Sequence, residues 1–336
     1  MALLDGVSRT FALTIPELPD DLRPVVANAY LLCRIVDTIE DEPALAPPEK
    51  RRFAEHFVAV VAGTAPPEPF ARELAPRLST STIPAEHDLI RATPQVIAIT
   101  RALAPAARDA LERCIRVMAE GMASFQEHAG LAGLADLPEL DRYCYVVAGV
   151  VGEMLTTLFC QHSPGISRRG KELRALARSF GEGLQLTNIL KDLWDDRGRG
   201  ACWLPRDVCQ AAGVELEALG AGAAGTGDFA TALGTLIGIA HAHLRNALAY
   251  VLLLPRRERG IRTFCLWAIG MAMLTLRKLD RRRDFRHGAE VKISRRSVRA
   301  TIVVTALTVW SDALLKLAFA LVGAGLPRAA PEVARV

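Results

Sequence analysis

The chain has 336 residues, 51% of them apolar and only 6% aromatic, which is material for one large core or two smaller ones. The formal net charge of +4 at pH 7 is too small for a nucleic-acid footprint. Basic residues do cluster at Arg281, Arg282 and Arg283 and again at Lys292, Arg295 and Arg296, as either a solvated face or the rim of a pocket for an anion.

Helical periodicity runs through the chain, and no alternating strand pattern competes with it. A first long helix is expected from Asp20 to about Asp41, stopped by Pro43, and a second from Pro48 to Ala62. Ala65 to Pro69 reads as a connector. Helices follow over Pro84–Leu103, kinked or split at Pro94, and over Pro105–His128. Asp136 caps the next, with Pro138 and Glu139 in its first turn, and that helix continues to about His162. Another is expected from Ser167 to Asp196, ended by Arg197-Gly-Arg-Gly. Gly220 to Gly227 reads as a flexible loop. Helices over Thr231–Leu253, Arg262–Leu279 and Ser294–Val322 complete an all-α fold of about ten helices, with fraying over about the last twenty residues. One domain over residues 1–325 and a tail over 326–336 are expected.

Seven cysteines are scattered without a Cys-x-x-Cys pair, mostly in apolar helical patterns, which suits a reducing cytoplasm. Met-Ala-Leu-Leu-Asp-Gly has neither the basic start nor the apolar core of a signal peptide. Ala300 to Leu326 is apolar, but Asp312 and Lys316 interrupt it, so no transmembrane anchor is expected there. An amphipathic helix packed on the body, or in peripheral contact with a membrane, fits better.

Two acidic motifs carry the chemistry. In Asp37-Thr-Ile-Glu-Asp41, the spacing puts Asp37, Glu40 and Asp41 on one helical face. In Asn188-Ile-Leu-Lys-Asp-Leu-Trp-Asp-Asp196, the same spacing gathers Asn188, Asp192, Asp195 and Asp196, with Ile189, Leu190, Leu193 and Trp194 beside them. Such an acidic stripe beside apolar residues fits a helix looking into an apolar cavity, where carboxylates need a cation. The ligand chemistry suits Mg²⁺, with Mn²⁺ as a substitute, sharing diphosphate oxygens between two facing helices. Basic companions are Arg9, Arg34, Lys191, Arg197 and Arg199, and Arg34 lies three residues before Asp37. Gln185 shares a face with Asn188. Tyr143-Cys-Tyr-Val-Val-Ala-Gly-Val-Val-Gly152 offers two hydroxyls, and Gly149 and Gly152 permit close packing or room for a ligand.

With these residues in view, the chain resembles the squalene and phytoene synthase family of head-to-head prenyltransferases. The matching segments are Ser8–Phe11, Arg34–Asp41, Tyr143–Gly152, Gln185–Asp196 and Trp203-Leu-Pro205, in order, over about residues 5 to 300. The resemblance implies a single all-α isoprenoid-synthase-type domain with a central cavity. Gly260 to Leu276 and Val291 to Arg295 look more like the squalene synthase branch. Ala268 and Ile269 stand where that pattern has Pro-Gln, and Ser294 stands where it has a basic residue.

By resemblance, Asp37, Glu40, Asp41, Asn188, Asp192 and Asp196 hold Mg²⁺ on two farnesyl diphosphates. Ser8, Arg9, Phe11, Arg34, Gln185, Lys191, Lys292 and Arg295 bind substrate or NADPH, and Tyr143 assists proton loss. Phe11, Leu155, Leu158, Phe159 and Leu184 are the expected apolar lining. The implied reaction is condensation to presqualene diphosphate and reduction to squalene by NADPH. No Gly-x-Gly-x-x-Gly unit on a strand is present, so NADPH binding is not of the Rossmann kind. The alternative within the family is a phytoene or dehydrosqualene synthase, which ends by proton loss without hydride transfer. Outside it stand a non-catalytic helical protein, for which broken acidic motifs would be the signature, and a head-to-tail elongase or terpene cyclase, against which the Tyr143–Gly152 and Lys292–Arg295 segments argue.

Overall fold

A computed structural model describes residues 2–220 and 227–329, without the side chains of Ala2, Arg9 and Thr10. Most of the expected loop from Gly220 to Gly227, and the tail beyond Ala329, therefore lie outside the described residues. Within them all regular structure is helical, apart from one isolated bridge between Leu134 and Pro205. Internal contacts divide the chain into two compact units: residues 1–128 with 154–164, and residues 129–153 with 165–336.

The first unit begins with α1 (Ala2–Val7), α2 (Arg9–Thr14) and α3 (Leu22–Asp41). There follow α4 (Pro47–Val61), α5 (Pro67–Leu74), α6 (Pro84–Arg91), α7 (Thr93–Ala102) and α8 (Pro105–Glu127). Each helix from α4 to α8 has a proline in its first turn, where the missing N–H costs no hydrogen bond and the fixed φ favours the helix. For that reason the expected connector ends at Pro66: Pro67 opens α5 instead of continuing the loop. Pro94 splits the expected Pro84–Leu103 helix into α6 and α7.

Leu32, Ile35, Val36 and Ile39 of α3 are buried, as are Leu111, Ile115, Met118 and Met122 of α8, and the two helices pack together. Asn28 donates to Thr100 Oγ1 at 2.7 Å and ties α3 to α7 inside the core. The end of α3 is fixed by the buried Glu42, whose carboxylate accepts from Ala44 N and Ser79 N at 2.9 Å each and from Thr82 Oγ1 at 2.7 Å. Burial works to raise its pKa, but these bonds outweigh burial and lower it.

The second unit starts with α9 (Leu137–Cys144), where Asp136 accepts from Glu139 N at 2.8 Å, the cap expected from the sequence. One π-helical turn, Tyr145–Gly149, interrupts the expected continuous helix before α10 (Val150–His162) resumes. After α11 (Pro164–Ser167) comes the long α12 (Gly170–Gly198), then α13 (Arg206–Ala211), which the sequence reading lacks. The rest is α14 (Gly227–Leu253), α15 (Arg259–Arg281), α16 (Gly288–Val291), α17 (Arg295–Thr308) and α18 (Asp312–Gly323).

α12 lies against α14 and against the π turn. The latter contact is made by backbone: a Cβ on Gly181 would stand 2.1 Å from Ala148 O; just beyond the turn, one on Gly152 of α10 would stand 2.2 Å from Ala177 O of α12. Close packing, not room for a ligand, is what Gly152 provides here. Leu137–His162 and Asp228–Leu253 are long and apolar enough by composition to cross a membrane, yet 44% and 67% of their most apolar windows are buried within the protein.

The expected single helix Ser294–Val322 is broken at Val309–Ser311. Ser311 caps α18 by accepting from Leu314 N at 3.4 Å, and Arg256 and Arg262 hold Asp312 at 2.8 and 2.6 Å. These ties from outside the segment fix a new helix start that no glycine or proline announces. Beyond α18, Leu326 is buried and Pro327 O lies 3.2 Å from His241 Nδ1.

Candidate active site

In the first unit, Arg34, Asp37, Glu40 and Asp41 share the C-terminal half of α3. Arg34 pairs with Asp37 at 3.6 Å and also with Glu86 of α6, a residue distant in sequence that the motif does not reveal. These acids hold the guanidinium charged despite burial. Burial raises Asp37, and Arg34 offsets only part of that while Asp41 and Glu86 add to it, so its pKa is pushed up to about 7. Glu40 is raised to about 8 by burial first and then by Asp41, against a hydrogen bond from Gln126. Asp37 still exposes 29% of its side chain, so its carboxyl stands at an opening within reach of solvent.

Ser8 accepts from Phe11 N at 2.9 Å and so caps α2, and the Phe11 ring meets Tyr30 of α3 at 4.8 Å. Phe11 of α2 thereby packs against the helix of the acidic motif, with Ser8 at the start of its own helix; the side chain of Arg9 lies outside the described residues. Leu158 and Phe159 are buried and Leu155 half-buried.

In the second unit, α12 carries Gln185, Asn188, Lys191, Asp192, Asp195 and Asp196. Lys191 Nζ donates to Asn188 Oδ1 at 3.2 Å and pairs with Asp192 at 3.1 Å. Asp192 and Asp195 converge on Gly288: a Cβ there would lie 3.2 Å from Asp192 Oδ1, 2.8 Å from Asp195 Oδ2 and 3.0 Å from Lys191 O. Asp196, almost buried, pairs with Arg199 at 2.5 Å. Arg197 is committed to the backbone, donating to Leu219 O at 2.6 Å and Leu131 O at 3.4 Å. Leu184 is half-buried on the same helix. Lys292 and Arg295 are exposed; Ser294, between them, accepts from Ser297 N at 3.1 Å as the cap of α17.

Tyr143 is buried and stacked on Trp203, with ring centroids 4.3 Å apart and an interplanar angle of 10°. Tyr145, on the π turn, donates to Glu153 Oε2 at 3.3 Å and lies under the Arg178 guanidinium at 4.9 Å. Behind it, Arg178 Nε donates to Glu182 at 2.5 Å, Ser179 Oγ lies 2.8 Å from His243 Nδ1, and Asn246 donates to Ser179 Oγ at 3.0 Å. Burial, with Arg178 adding to it, lowers His243 to about 4. Arg178, Glu182 and His243 have no signal in the acidic motifs; their i, i+4 and long-range pairing appears only in the fold.

Among the described residues no three His, Cys, Asp or Glu side chains converge as a ready metal cage. The raised carboxyls on α3 and the pair of carboxylates over Gly288 are both placed where a cation would relieve repulsion.

Comparison with known proteins agrees with this geometry. The family model described as squalene/phytoene synthase matches residues 4–297. A squalene synthase of Eremothecium gossypii is 28% identical over 287 residues, covering 82% of this chain and 60% of the relative, so the chain spans about three fifths of that protein's length. A phytoene synthase of Thermus thermophilus is 40% identical over 125 residues, covering 37% of this chain and 40% of the relative. The solved structure of TcSQS with the ligand BPH1237 superimposes with a TM-score of 0.73 at 24% identity, over 96% of this chain and 89% of the other. That likeness establishes the all-α isoprenoid-synthase fold.

Proposed function

Because the chain belongs to the squalene/phytoene synthase family, we propose that it is a squalene synthase. It joins two farnesyl diphosphates head to head through presqualene diphosphate and reduces that intermediate to squalene with NADPH. The observation that carries the reading is the crowding of Asp37, Glu40 and Asp41 on α3, which Arg34 and Gln126 offset only in part, so that Asp37 and Glu40 are raised to about 7 and about 8. Carboxyls held so far above their ordinary range by burial and by each other mark a place for a cation.

Asp37, Glu40 and Asp41 serve one diphosphate, and Asn188, Asp192 and Asp196 the other, with Asp195 beside Asp192. Bound Mg²⁺ supplies Lewis-acid stabilisation of the leaving diphosphate. Arg34 and Lys191 bind phosphate oxygens, the former as a planar fork. Ser8, Arg9, Phe11 and Gln185 orient the substrates. Leu155, Leu158, Phe159 and Leu184 keep water from the allylic cation. Tyr143, its ring held flat on Trp203, assists loss of the proton that closes the cyclopropane. Lys292 and Arg295 take the phosphates of NADPH, which supplies hydride. The reactants are charged and the product is an oil, so we place the protein in the cytoplasm at the periphery of a membrane.

A second reading, phytoene or dehydrosqualene synthase, draws on the match to the Thermus thermophilus phytoene synthase and on Ser294. That residue caps a helix where the squalene synthase pattern has a basic side chain. Incubation with farnesyl diphosphate and Mg²⁺, with and without NADPH, separates the two. Squalene formed only with NADPH supports the first reading. Phytoene from geranylgeranyl diphosphate, or dehydrosqualene whatever the NADPH, supports the second. Asp37→Asn and Asp192→Asn should each lower turnover by about a hundredfold or more with an unchanged helical spectrum; full turnover in either would remove the metal assignment.

A further inference from the structure

The polarity of α17 is reversed relative to a helix that packs on a core. Its buried positions include Thr301 and Thr305, and Thr301 fits against Gly270 of α15, where a Cβ would stand 2.6 Å from Thr301 Cγ2. Its outward positions are Val303, Val304 and Leu307, exposed by 56, 44 and 70%. α18 buries one apolar side chain, Leu315, and turns others outward: Leu314, Leu317 and Leu321 are 45, 55 and 64% exposed. Trp310, in the turn joining them, is half exposed and lies under the Arg259 guanidinium at 3.3 Å. Among the described residues, seven of the eleven exposed large apolar side chains thus fall on this one hairpin. A soluble surface rarely gathers so many.

We propose that the outward face of the α17–α18 hairpin docks on the surface of an anionic lipid bilayer. The charge around the apolar stripe selects this occupant. Between Arg295 and Ala329 there are five basic residues, Arg295, Arg296, Arg299, Lys316 and Arg328, and one acid, Asp312. That acid is already bound by Arg256 and Arg262. Lys316 lies exposed between Leu314 and Leu317. At a lipid surface its stem lies along the acyl boundary while the ammonium reaches the headgroups. A second copy of the chain would press the same positive residues together and bury Lys316 against apolar side chains. A tryptophan beneath an arginine suits the headgroup level, apolar on one side and wet on the other. The hairpin is also held firmly: Arg277 donates to Leu321 O and Val322 O at 3.1 and 2.9 Å and closes the end of α18. The proposal deepens the placement at the periphery of a membrane by naming the face and the lipid charge, and its test does not depend on the catalytic reading.

The test is co-sedimentation of the full chain with vesicles of phosphatidylcholine alone and of phosphatidylcholine with phosphatidylglycerol. Wild-type protein should bind the anionic vesicles and be released by high salt. Leu307→Ser with Leu317→Ser should weaken binding by roughly tenfold or more, from the loss of two apolar side chains at the lipid boundary. Arg296→Gln, Arg299→Gln and Lys316→Gln together should weaken it by a similar factor. All five positions are exposed, so melting curves should be unchanged, which separates lost binding from lost folding. Failure of wild type to bind, or equal binding by the leucine variant, overturns the proposal. So does a wild-type dimer, seen by light scattering without lipid, that the leucine variant converts to monomer.

Discussion

Gly181→Ala tests the packing on which the site of the second unit stands. The added Cβ would lie 2.1 Å from Ala148 O, 2.5 Å from Ala148 C and 2.8 Å from Gly149 N. Cβ atoms essentially never come within 3.0 Å of another heavy atom, so α12 and the π turn must separate by at least 0.9 Å, the difference between 3.0 and 2.1 Å. Both sides are backbone, and no side chain can rotate away. Overpacking costs about 1–3 kcal/mol, and a clash between two backbones belongs at the upper end, about 3 kcal/mol. With about 2.1 cal/mol/K of unfolding entropy per residue, the melting temperature should fall by about 4 °C for the whole chain, and by more if the second unit melts separately. Thermal melts followed by circular dichroism measure this. Gly198→Ala is the control, since nothing lies within 4 Å of its Cβ and its φ is not positive. It should melt with wild type or slightly above it, by the helix preference of alanine. Equal melting of Gly181→Ala and wild type would falsify the backbone contact. The displaced turn carries Tyr145 and follows Tyr143, so turnover should fall as well.

Gly288→Ala should push Asp192 and Asp195 apart, raising the Mg²⁺ concentration needed for half-maximal turnover by about tenfold; melting should fall only slightly, because both carboxylates can swing away and the backbone neighbour, Lys191 O at 3.0 Å, needs only a small shift. Arg262→Leu removes a fully buried guanidinium that donates to Leu254 O at 3.0 Å and to Asp312 at 2.6 Å. Urea denaturation should show a loss of about 3 kcal/mol. His243 is lowered from 6.5 to about 4, so above pH 6.5 it is neutral in both folded and unfolded chains and has no effect. Below that the unfolded chain takes the proton first, and stability should fall by up to about 3 kcal/mol between pH 6.5 and 4. His243→Gln should remove that part of the slope; an unchanged slope would mean the imidazole is not buried neutral.

Both acidic stripes were legible because a repeat of three and four residues is a property of one helix, needing no knowledge of its surroundings. The proline-led starts of α4 to α8 were legible for a similar reason: proline acts on its own φ and its own missing N–H. What escaped depends on partners far along the chain. Glu86 meets Arg34 across 52 residues, Gln126 meets Glu40 across 86, and His243 meets Ser179 across 64. The break between α17 and α18 is set by Arg256 and Arg262, more than forty positions before it, and the π turn lies backbone to backbone against a glycine of α12. α17 shows the limit most sharply. Its apolar spacing predicted a helix, and a helix is there. Periodicity says which residues share a face but not which face turns inward, and ordinarily the apolar one is assumed to. Here Thr301 fits against Gly270 and leaves Val303, Val304 and Leu307 outside. The contact that a small residue on α15 makes available, and not the hydrophobicity of α17, decides what that helix presents to its surroundings.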